Sequence, residues 1–150
     1  MVGQKAPEII LKDFDGKEVK LSQFKDKPLI LDFFATFSKT SQKQILVMEK
    51  LNKKYNKQQD DKAQKDEQKL VILGVTSEKN KEKVKKFVTD NKLTFPILVE
   101  GVKTFKDYKV TQLPTVLFIT KDGNVCSAHF GVITYDEAKF DAEITKFITP

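Results

Sequence analysis

Hydrophobic positions along the chain follow two periods, that of strands and that of helices. The run PLILDFFATF, residues 28–37, is almost entirely apolar, as expected of a central strand buried on both faces. The segment LVILGVT, residues 70–76, predicts a second such strand. Between them, Ile45, Met48 and Tyr55 lie at helical spacing, which predicts an amphipathic helix from Ser41 to about Tyr55.

Turn and cap signals complete an alternating order of strands and helices. In chain order they first predict two strands, Glu8 to Leu11 and Glu18 to Leu21, joined at Asp15-Gly16. A helix capped by Ser77, a short helix near Val102 to Tyr108 and a strand hairpin around Asp122-Gly123 follow. The closing helix is predicted by the capping box of Thr134 and Glu137 and by the apolar stripe Phe140, Ile144, Phe147 and Ile148. This alternation predicts an α/β fold with a partly parallel central sheet flanked by helices. At 150 residues we expect a single domain, with a polar insertion or helix extension at about residues 52–69.

Composition excludes several functions and names none. All 27 basic residues are lysine, they are interleaved with 21 acidic residues, and the net charge is +6. Because arginine provides the planar fork that grips phosphate, its absence favours an ordinary solvated surface, and we expect no nucleic-acid partner. A lysine-rich surface for anionic membranes or nucleic acid is the alternative, and its binding would collapse with added salt. No apolar run is long enough to cross a bilayer, so we expect no embedded membrane segment.

The chain has one cysteine, Cys126, and one histidine, His129. One cysteine cannot form an internal disulfide, and one histidine cannot build a zinc site. The family resemblance described below likewise implies no metal or organic cofactor. The alternating strand around Cys126 predicts an inert, partly buried thiol, and we expect a packing role for His129 as well.

Two positions spaced i and i+3 at the turn from a strand into a helix are where thiol and disulfide chemistry is carried out on a scaffold of this kind. In this chain, Ser38 and Ser41 hold these positions, where the central strand meets the first helix. Unpaired N–H groups and the helix dipole favour an anion there, which lowers the pKa of a cysteine from about 8.5 to the range of roughly 3.5 to 7.5. A serine hydroxyl is not ionised near neutral pH and cannot form a disulfide. We therefore predict that this chain does not exchange disulfides through these positions, and that Ser38 or Thr36 caps the helix.

Two long segments resemble a known family. Residues 3–42, GQKAPEIILKDFDGKEVKLSQFKDKPLILDFFATFSKTSQ, are similar to the opening of TlpA-like and ResA-like thiol-disulfide oxidoreductases of the thioredoxin superfamily, relatives of AhpC/TSA proteins. Residues 95–123, FPILVEGVKTFKDYKVTQLPTVLFITKDG, resemble the second half of that family, with its Leu-Pro-Thr loop. The resemblance implies a thioredoxin-like fold, with a central mixed sheet flanked by helices and an N-terminal β-hairpin extension. In the family, Cys-x-x-Cys stands where this chain has Ser38-Lys39-Thr40-Ser41.

The same resemblance implies a role for each matching residue. Ser38 holds the nucleophilic position, Ser41 the resolving position and Pro114 that of the cis-proline. Asp32 matches a buried carboxylate that accepts the proton of the resolving thiol, although it could instead be a buried acid satisfied by a backbone partner. Substrate contacts are implied for Phe37, Lys39, Thr40, Leu113 and Thr115. Glu100 is aligned with an acid near the redox pair of ResA-like proteins.

Two explanations of the paired serines remain open. They trap the reduced-like state of an oxidoreductase, or they belong to a natural redox-inactive relative. The first implies an enzyme that reduces disulfides of secreted or membrane proteins, including apocytochromes during cytochrome c maturation. Its partners would be a disulfide-containing protein substrate and an upstream dithiol reductant, in a periplasmic, secreted or membrane-anchored setting, although the residues fit a cytosolic setting equally well.

The second explanation is a redox-silent module that binds extended peptides or partner proteins. Its groove would lie between Ser38 and the loop from Thr111 to Thr115, where main-chain hydrogen bonds can hold an extended segment. Under either explanation we expect a monomer. Peroxide reduction is disfavoured because the first strand-helix turn has no cysteine and the chain has no supporting arginine.

Overall fold

The structure is a computed structural model that describes residues 1–56, 69–131 and 137–148, apart from the side chains of Glu137 and Phe140. Its strands are β1 Ile10–Asp13, β2 Glu18–Lys20, β3 Leu29–Phe33, β4 Val71–Val75, β5 Ile97–Val99, β6 Thr115–Ile119 and β7 Val125–Phe130. Its helices are α1 Lys39–Tyr55, α2 Lys81–Asp90, α3 Val102–Asp107 and α4 Glu137–Ile148, and a 3-10 turn spans Leu21–Phe24. None of the helices in these ranges is both long and apolar enough to span a bilayer.

The strands form one mixed sheet in the order β2-β1-β5-β4-β3-β6-β7. β4 runs parallel to both β3 and β5, whereas β6 is antiparallel to β3 and β7 to β6. The β1–β2 hairpin joins the sheet because β1 pairs antiparallel with β5. The predicted mixed α/β fold with an N-terminal hairpin is confirmed. The carboxyl ends of β3, β4 and β5 therefore meet the amino end of β6 at one edge of the sheet, called here the carboxyl edge.

Apolar side chains fill both faces of the sheet. Ile30 and Phe34 pack with Ile45 of α1, while Leu31 and Phe33 face the opposite layer. All five residues of β3 are buried, as its continuous apolar run predicts. Burying a large apolar side chain stabilises a fold by about 1.5 to 3 kcal/mol. Because the side chains of β3 are buried on both faces of the sheet, β3 stabilises both layers.

Several boundaries differ from the sequence predictions. α1 begins at Lys39 because Ser38 is its cap. α2 begins at Lys81 because the side chain of Asn80 accepts a hydrogen bond from the N–H of Lys83, at 3.1 Å, so the predicted Ser77 cap was wrong.

The strand pattern was also incomplete at the N-terminal hairpin and before α3. β1 lies two residues further along the chain than predicted, at Ile10–Asp13. β5, only three residues long, was not predicted, because so short an apolar run has no measurable period. Residues 57–68 of the predicted polar segment and Thr134 of the predicted capping box lie outside the described residues.

Candidate binding site at the β3–α1 turn

The turn between β3 and α1 is closed by hydroxyl groups. The Oγ of Ser38 accepts a hydrogen bond from the N–H of Ser41 at 3.2 Å and lies 3.0 Å from the Oγ1 of Thr40. Ser38 thus caps the helix, which was one of the two predicted caps, and Thr36 does not. The Oγ of Ser41 accepts a hydrogen bond from the N–H of Ala35 at 3.3 Å. Both hydroxyls therefore satisfy backbone donors that a strand-to-helix turn leaves unpaired.

The two serines differ in accessibility. Ser41 is fully buried, whereas Ser38 is partly exposed. Phe37, the residue before Ser38, leaves 70% of its surface exposed, and Lys39 is exposed as well. Position 38 can therefore be reached by a second molecule, and position 41 cannot be reached without movement of the turn.

The loop before β6 lies against this turn. The peptide bond between Leu113 and Pro114 is cis, as the resemblance implies. The Oγ1 of Thr40 donates a hydrogen bond to the carbonyl oxygen of Leu113, at 3.4 Å, and Thr115 donates its own hydroxyl to the carbonyl oxygen of Gln112, at 2.7 Å. Residues 38–41 and 113–115, separated by more than seventy positions in sequence, thus form one site.

Asp32 lies beneath this site, in the layer between the sheet and α1. Its two neighbours in register are Gly74 and Val116, and neither provides a polar side chain. Both carboxylate oxygens are buried and have no hydrogen-bond partner among the described residues. The predicted alternative of a backbone partner was therefore wrong. Burial raises the pKa of Asp32 from 3.8 to about 8, so the acid is mostly protonated at neutral pH.

Gln44 of α1 is in the same condition. Its side chain is buried, and neither its amide nitrogen nor its amide oxygen has a partner within the described ranges. It lies one helical turn after Ser41 and belongs to the buried face of α1. The layer behind Ser41 thus contains two uncompensated polar side chains, which is unusual in a protein core.

Glu78, in the connection between β4 and α2, is a site residue that the sequence pattern did not predict. Its carboxylate accepts hydrogen bonds from the N–H and the hydroxyl of Thr36, at 2.9 and 2.6 Å, and from the hydroxyl of Thr76, at 2.8 Å. Burial alone would raise the pKa of Glu78, but these hydrogen bonds and the charge of Lys83 outweigh it and hold the pKa below its ordinary value. Glu100, which the resemblance aligns with an acid near the redox pair, has an exposed side chain, and its backbone N–H donates to the carbonyl oxygen of Glu78 at 3.0 Å.

Gln42 completes the connections of the turn. Its amide nitrogen donates a hydrogen bond to the carbonyl oxygen of Thr36 at 2.7 Å. All three polar groups of Thr36 are therefore engaged by side chains of Gln42 and Glu78. One signal could have suggested Glu78: an acid just after a parallel strand lies at the carboxyl edge, beside the turn that follows β3.

Cys126 and His129 lie on β7, apart from the turn. Cys126 is exposed, so the predicted partial burial was wrong. Neighbouring atoms still remove part of the water around its sulfur, and this desolvation and the charge of Glu143 raise the pKa of the thiol. Residues next to Cys126 pair with Phe118 and Ile119, at the end of β6 opposite to Thr115. The Nε2 of His129 lies 2.9 Å from an oxygen of Glu143, which joins β7 to α4.

Fold and site together define a thioredoxin-like protein. The model of the AhpC/TSA family matches residues 2–128 of this chain. The chain is 31% identical over 150 residues to the thiol-disulfide oxidoreductase ResA of Bacillus cereus, covering 99% of this chain and 79% of that relative. It is 33% identical over 136 residues to the thioredoxin-like protein YneN of Bacillus subtilis, covering 90% of this chain and 75% of that relative.

Two solved structures have the same fold. A thiol:disulfide interchange protein of the thioredoxin family from Chlorobium tepidum aligns with a TM-score of 0.78 and 20% identity, over 97% of each chain. The thioredoxin domain of a thiol-disulfide oxidoreductase from Bacteroides vulgatus aligns with a TM-score of 0.76 and 22% identity, over 99% of each chain. This chain belongs to the AhpC/TSA family, as a TlpA- and ResA-like member of the thioredoxin superfamily.

Proposed function

We propose that this chain, with serines at positions 38 and 41, is a redox-silent module that binds an extended segment of a partner protein. The segment lies in the groove between the Ser38 turn and the loop from Leu113 to Thr115. The observation that supports this proposal is that the hydroxyl groups of Ser38 and Ser41 both accept hydrogen bonds from backbone N–H groups of the turn itself. The pair therefore has a structural use in this chain that requires no electron transfer.

Exposed apolar side chains at the carboxyl edge support a binding role. Phe37 follows β3, Val102 begins α3 just after β5, and Phe130 ends β7 opposite Thr115 in register. They expose 70%, 43% and 43% of their surfaces, respectively. Large apolar residues exposed at one edge of a sheet are typical of a surface that contacts another protein.

The remaining thiol does not restore redox chemistry at this groove. Cys126 lies toward the opposite edge of the sheet, and its raised pKa keeps it in the thiol form near neutral pH. A single thiol also lacks the second sulfur that would resolve a mixed disulfide.

Peptide selection tests the binding proposal. A displayed library of random peptides of about twelve residues, long enough to cross the groove as a strand, is panned against the protein and against Phe37→Ser as the control. We expect peptides that bind the protein and not the control, and that shift the amide resonances of residues 37–41 and 111–115. Peptides that bind both proteins equally, or shift only residues elsewhere, would refute the proposal.

A second candidate is a thiol-disulfide oxidoreductase scaffold whose two sulfur atoms have been replaced. The relatives named thiol-disulfide oxidoreductases, the i and i+3 spacing at a helix N-terminus, and the exposure of position 38 favour it. With cysteines, a thiolate at 38 would attack a substrate disulfide and release one substrate thiolate. The thiol at 41 would then break the mixed disulfide, leaving an oxidised protein pair and a reduced substrate, and an upstream dithiol would reduce that pair again.

The variant Ser38→Cys/Ser41→Cys tests this candidate by reduction of insulin disulfides with dithiothreitol. We expect faster reduction than with the unchanged chain or with Ser38→Ala/Ser41→Ala. A folded double-cysteine variant that remains inactive would rule out the oxidoreductase scaffold. Activity would make the wider proposal worth testing, namely reduction of secreted or membrane proteins such as apocytochromes by an extracytoplasmic, monomeric, single-domain protein.

A further inference from the structure

We propose that Glu78 is a positioning residue of this site, which holds Thr36 and Lys83 so that one face of Phe37 stays open for an apolar side chain of the partner segment. The inference rests on the proposed binding function and adds a residue and a partner chemistry to it. The side chain of Glu78 is only 11% exposed, so Glu78 affects the binding of a partner through the residues that it contacts.

The first step is the hold on Thr36. Glu78 accepts both the backbone N–H and the hydroxyl of this residue, at 2.9 and 2.6 Å. Hydrogen bonds to a charged group are stronger than those between neutral groups. Phe37 is the next residue, so the direction in which its ring leaves the turn depends on the backbone that Glu78 holds.

The second step is the placement of Lys83. Its Nζ lies 3.8 Å from an oxygen of Glu78 and 5.4 Å from the ring centre of Phe37. An ammonium group over an aromatic face is attracted by the ring electrons. Lys83 therefore covers one face of Phe37, and the 70% exposure of this residue leaves the other face for an apolar side chain of the partner.

The chain contains a matched site that separates positioning from stability. Glu49 accepts the N–H and the hydroxyl of Thr94, both at 2.7 Å, and Lys53 lies 3.9 Å from it. This is the same arrangement as Glu78 with Thr36 and Lys83. Thr94 precedes β5, however, at the edge of the sheet opposite to the Ser38 turn. Glu49→Gln is therefore a control that weakens the same kind of contact without touching the site.

The experiment compares Glu78→Gln with Glu49→Gln in two measurements. The first is the affinity for a peptide selected on the unchanged chain, at a temperature at which all variants are folded. We expect Glu78→Gln to weaken binding roughly tenfold and Glu49→Gln to leave it within about twofold. Equal affinities for the two variants would overturn the inference.

The second measurement needs no peptide. Because the chain has no tryptophan, Phe37→Trp introduces a single fluorescent reporter at the site. In this background, we expect Glu78→Gln to lower the fluorescence anisotropy of the reporter and to increase its quenching by acrylamide, and Glu49→Gln to change neither. Should no peptide be selected, the binding function fails while this measurement still tests positioning.

Thr36→Val gives an independent test that does not depend on the folding of Glu78→Gln. It removes one hydroxyl and keeps the backbone N–H, and we expect a smaller effect of the same kind on the reporter. An unchanged reporter would contradict the inference. When Glu78→Gln folds, the Thr36→Val/Glu78→Gln double variant should be less impaired than the sum of the single variants. Fully additive effects would show that the two residues act separately, contrary to the inference.

Discussion

Two carboxylates beside the same turn, Asp32 fully buried and Glu78 partly buried, differ in how their charge is stabilised. Asp32 is fully buried with no partner among the described residues, and its pKa rises to about 8. Glu78 accepts three hydrogen bonds and lies near Lys83, and its pKa is lowered. Burial therefore does not by itself decide the charge of an acid. The supply of donors decides it.

The backbone explains the difference in supply. Asp32 is inside β3, whose backbone is paired with β4 on one side and β6 on the other, so the N–H groups around it are already used. Glu78 follows β4, where the turn after β3 provides the unpaired N–H of Thr36. An acid at the end of a strand can be satisfied by a neighbouring turn, whereas an acid within a central strand depends on side chains.

The largest expected effect is on Asp32. Asp32→Asn should raise the free energy of unfolding by on the order of 4 kcal/mol at pH 7. At this pH the aspartate of the unchanged chain ionises only in the unfolded state, which stabilises that state, and asparagine removes this effect. The folded pKa is raised, so the stability is fully present below about pH 4 and is lost as the pH rises toward 8. Urea unfolding at pH 3, 5 and 7 measures this. A gain that does not change with pH would mean that folding does not shift the pKa of Asp32.

The next effect is on Glu78 and has the opposite dependence on pH. Glu78→Ala should cost roughly 2 to 3 kcal/mol at pH 7, because the N–H of Thr36 and two hydroxyl groups lose their acceptor. The folded pKa is lowered, so this stability is present above the ordinary value of 4.5 and is lost as the pH falls through the folded value. The same urea series should show the deficit shrinking in acid. A deficit that stays constant below pH 4 would contradict the role of the charge.

Two glutamines of α1 extend the comparison to neutral groups. Gln44 is buried without a partner, whereas Gln42 donates to the carbonyl oxygen of Thr36. We expect Gln44→Leu to stabilise the fold by about 1 kcal/mol and Gln42→Leu to destabilise it by a similar amount. Thermal unfolding of the two variants measures this. A clear loss of stability in Gln44→Leu would indicate a bound water or another partner in that layer.

The smallest effect concerns the cap. Ser38→Ala should cost about 1 kcal/mol and Ser38→Gly only a few tenths, because Ser38 accepts the N–H of Ser41 and glycine leaves that group open to water. Chemical unfolding of both variants at neutral pH provides the measurement. If Ser38→Ala costs nothing, the cap is not what Ser38 contributes, and the structural use of the serine pair must be reconsidered.

Periodicity and local signals predicted much of this molecule. The apolar run of β3, the helical spacing of α1 and the turn-favouring pairs were sufficient for the α/β fold, and the junction of β3 with α1 was sufficient to place Ser38 and Ser41 at a helix start. These features are local, because the alternation of side chains in a strand and the open N–H groups at a helix start are set by residues within a few positions of each other.

Tertiary structure decided the rest. The hydrogen bonds from Thr36 to the carboxylate of Glu78 join residues 42 positions apart in the sequence. No local pattern distinguishes Glu78 from the exposed Glu100. The lack of a partner for Asp32 likewise depends on which residues of β4 and β6 lie beside it in register. The residues of a turn can thus be recognised from sequence, but the charge of a buried acid depends on donors that only the folded chain brings to it.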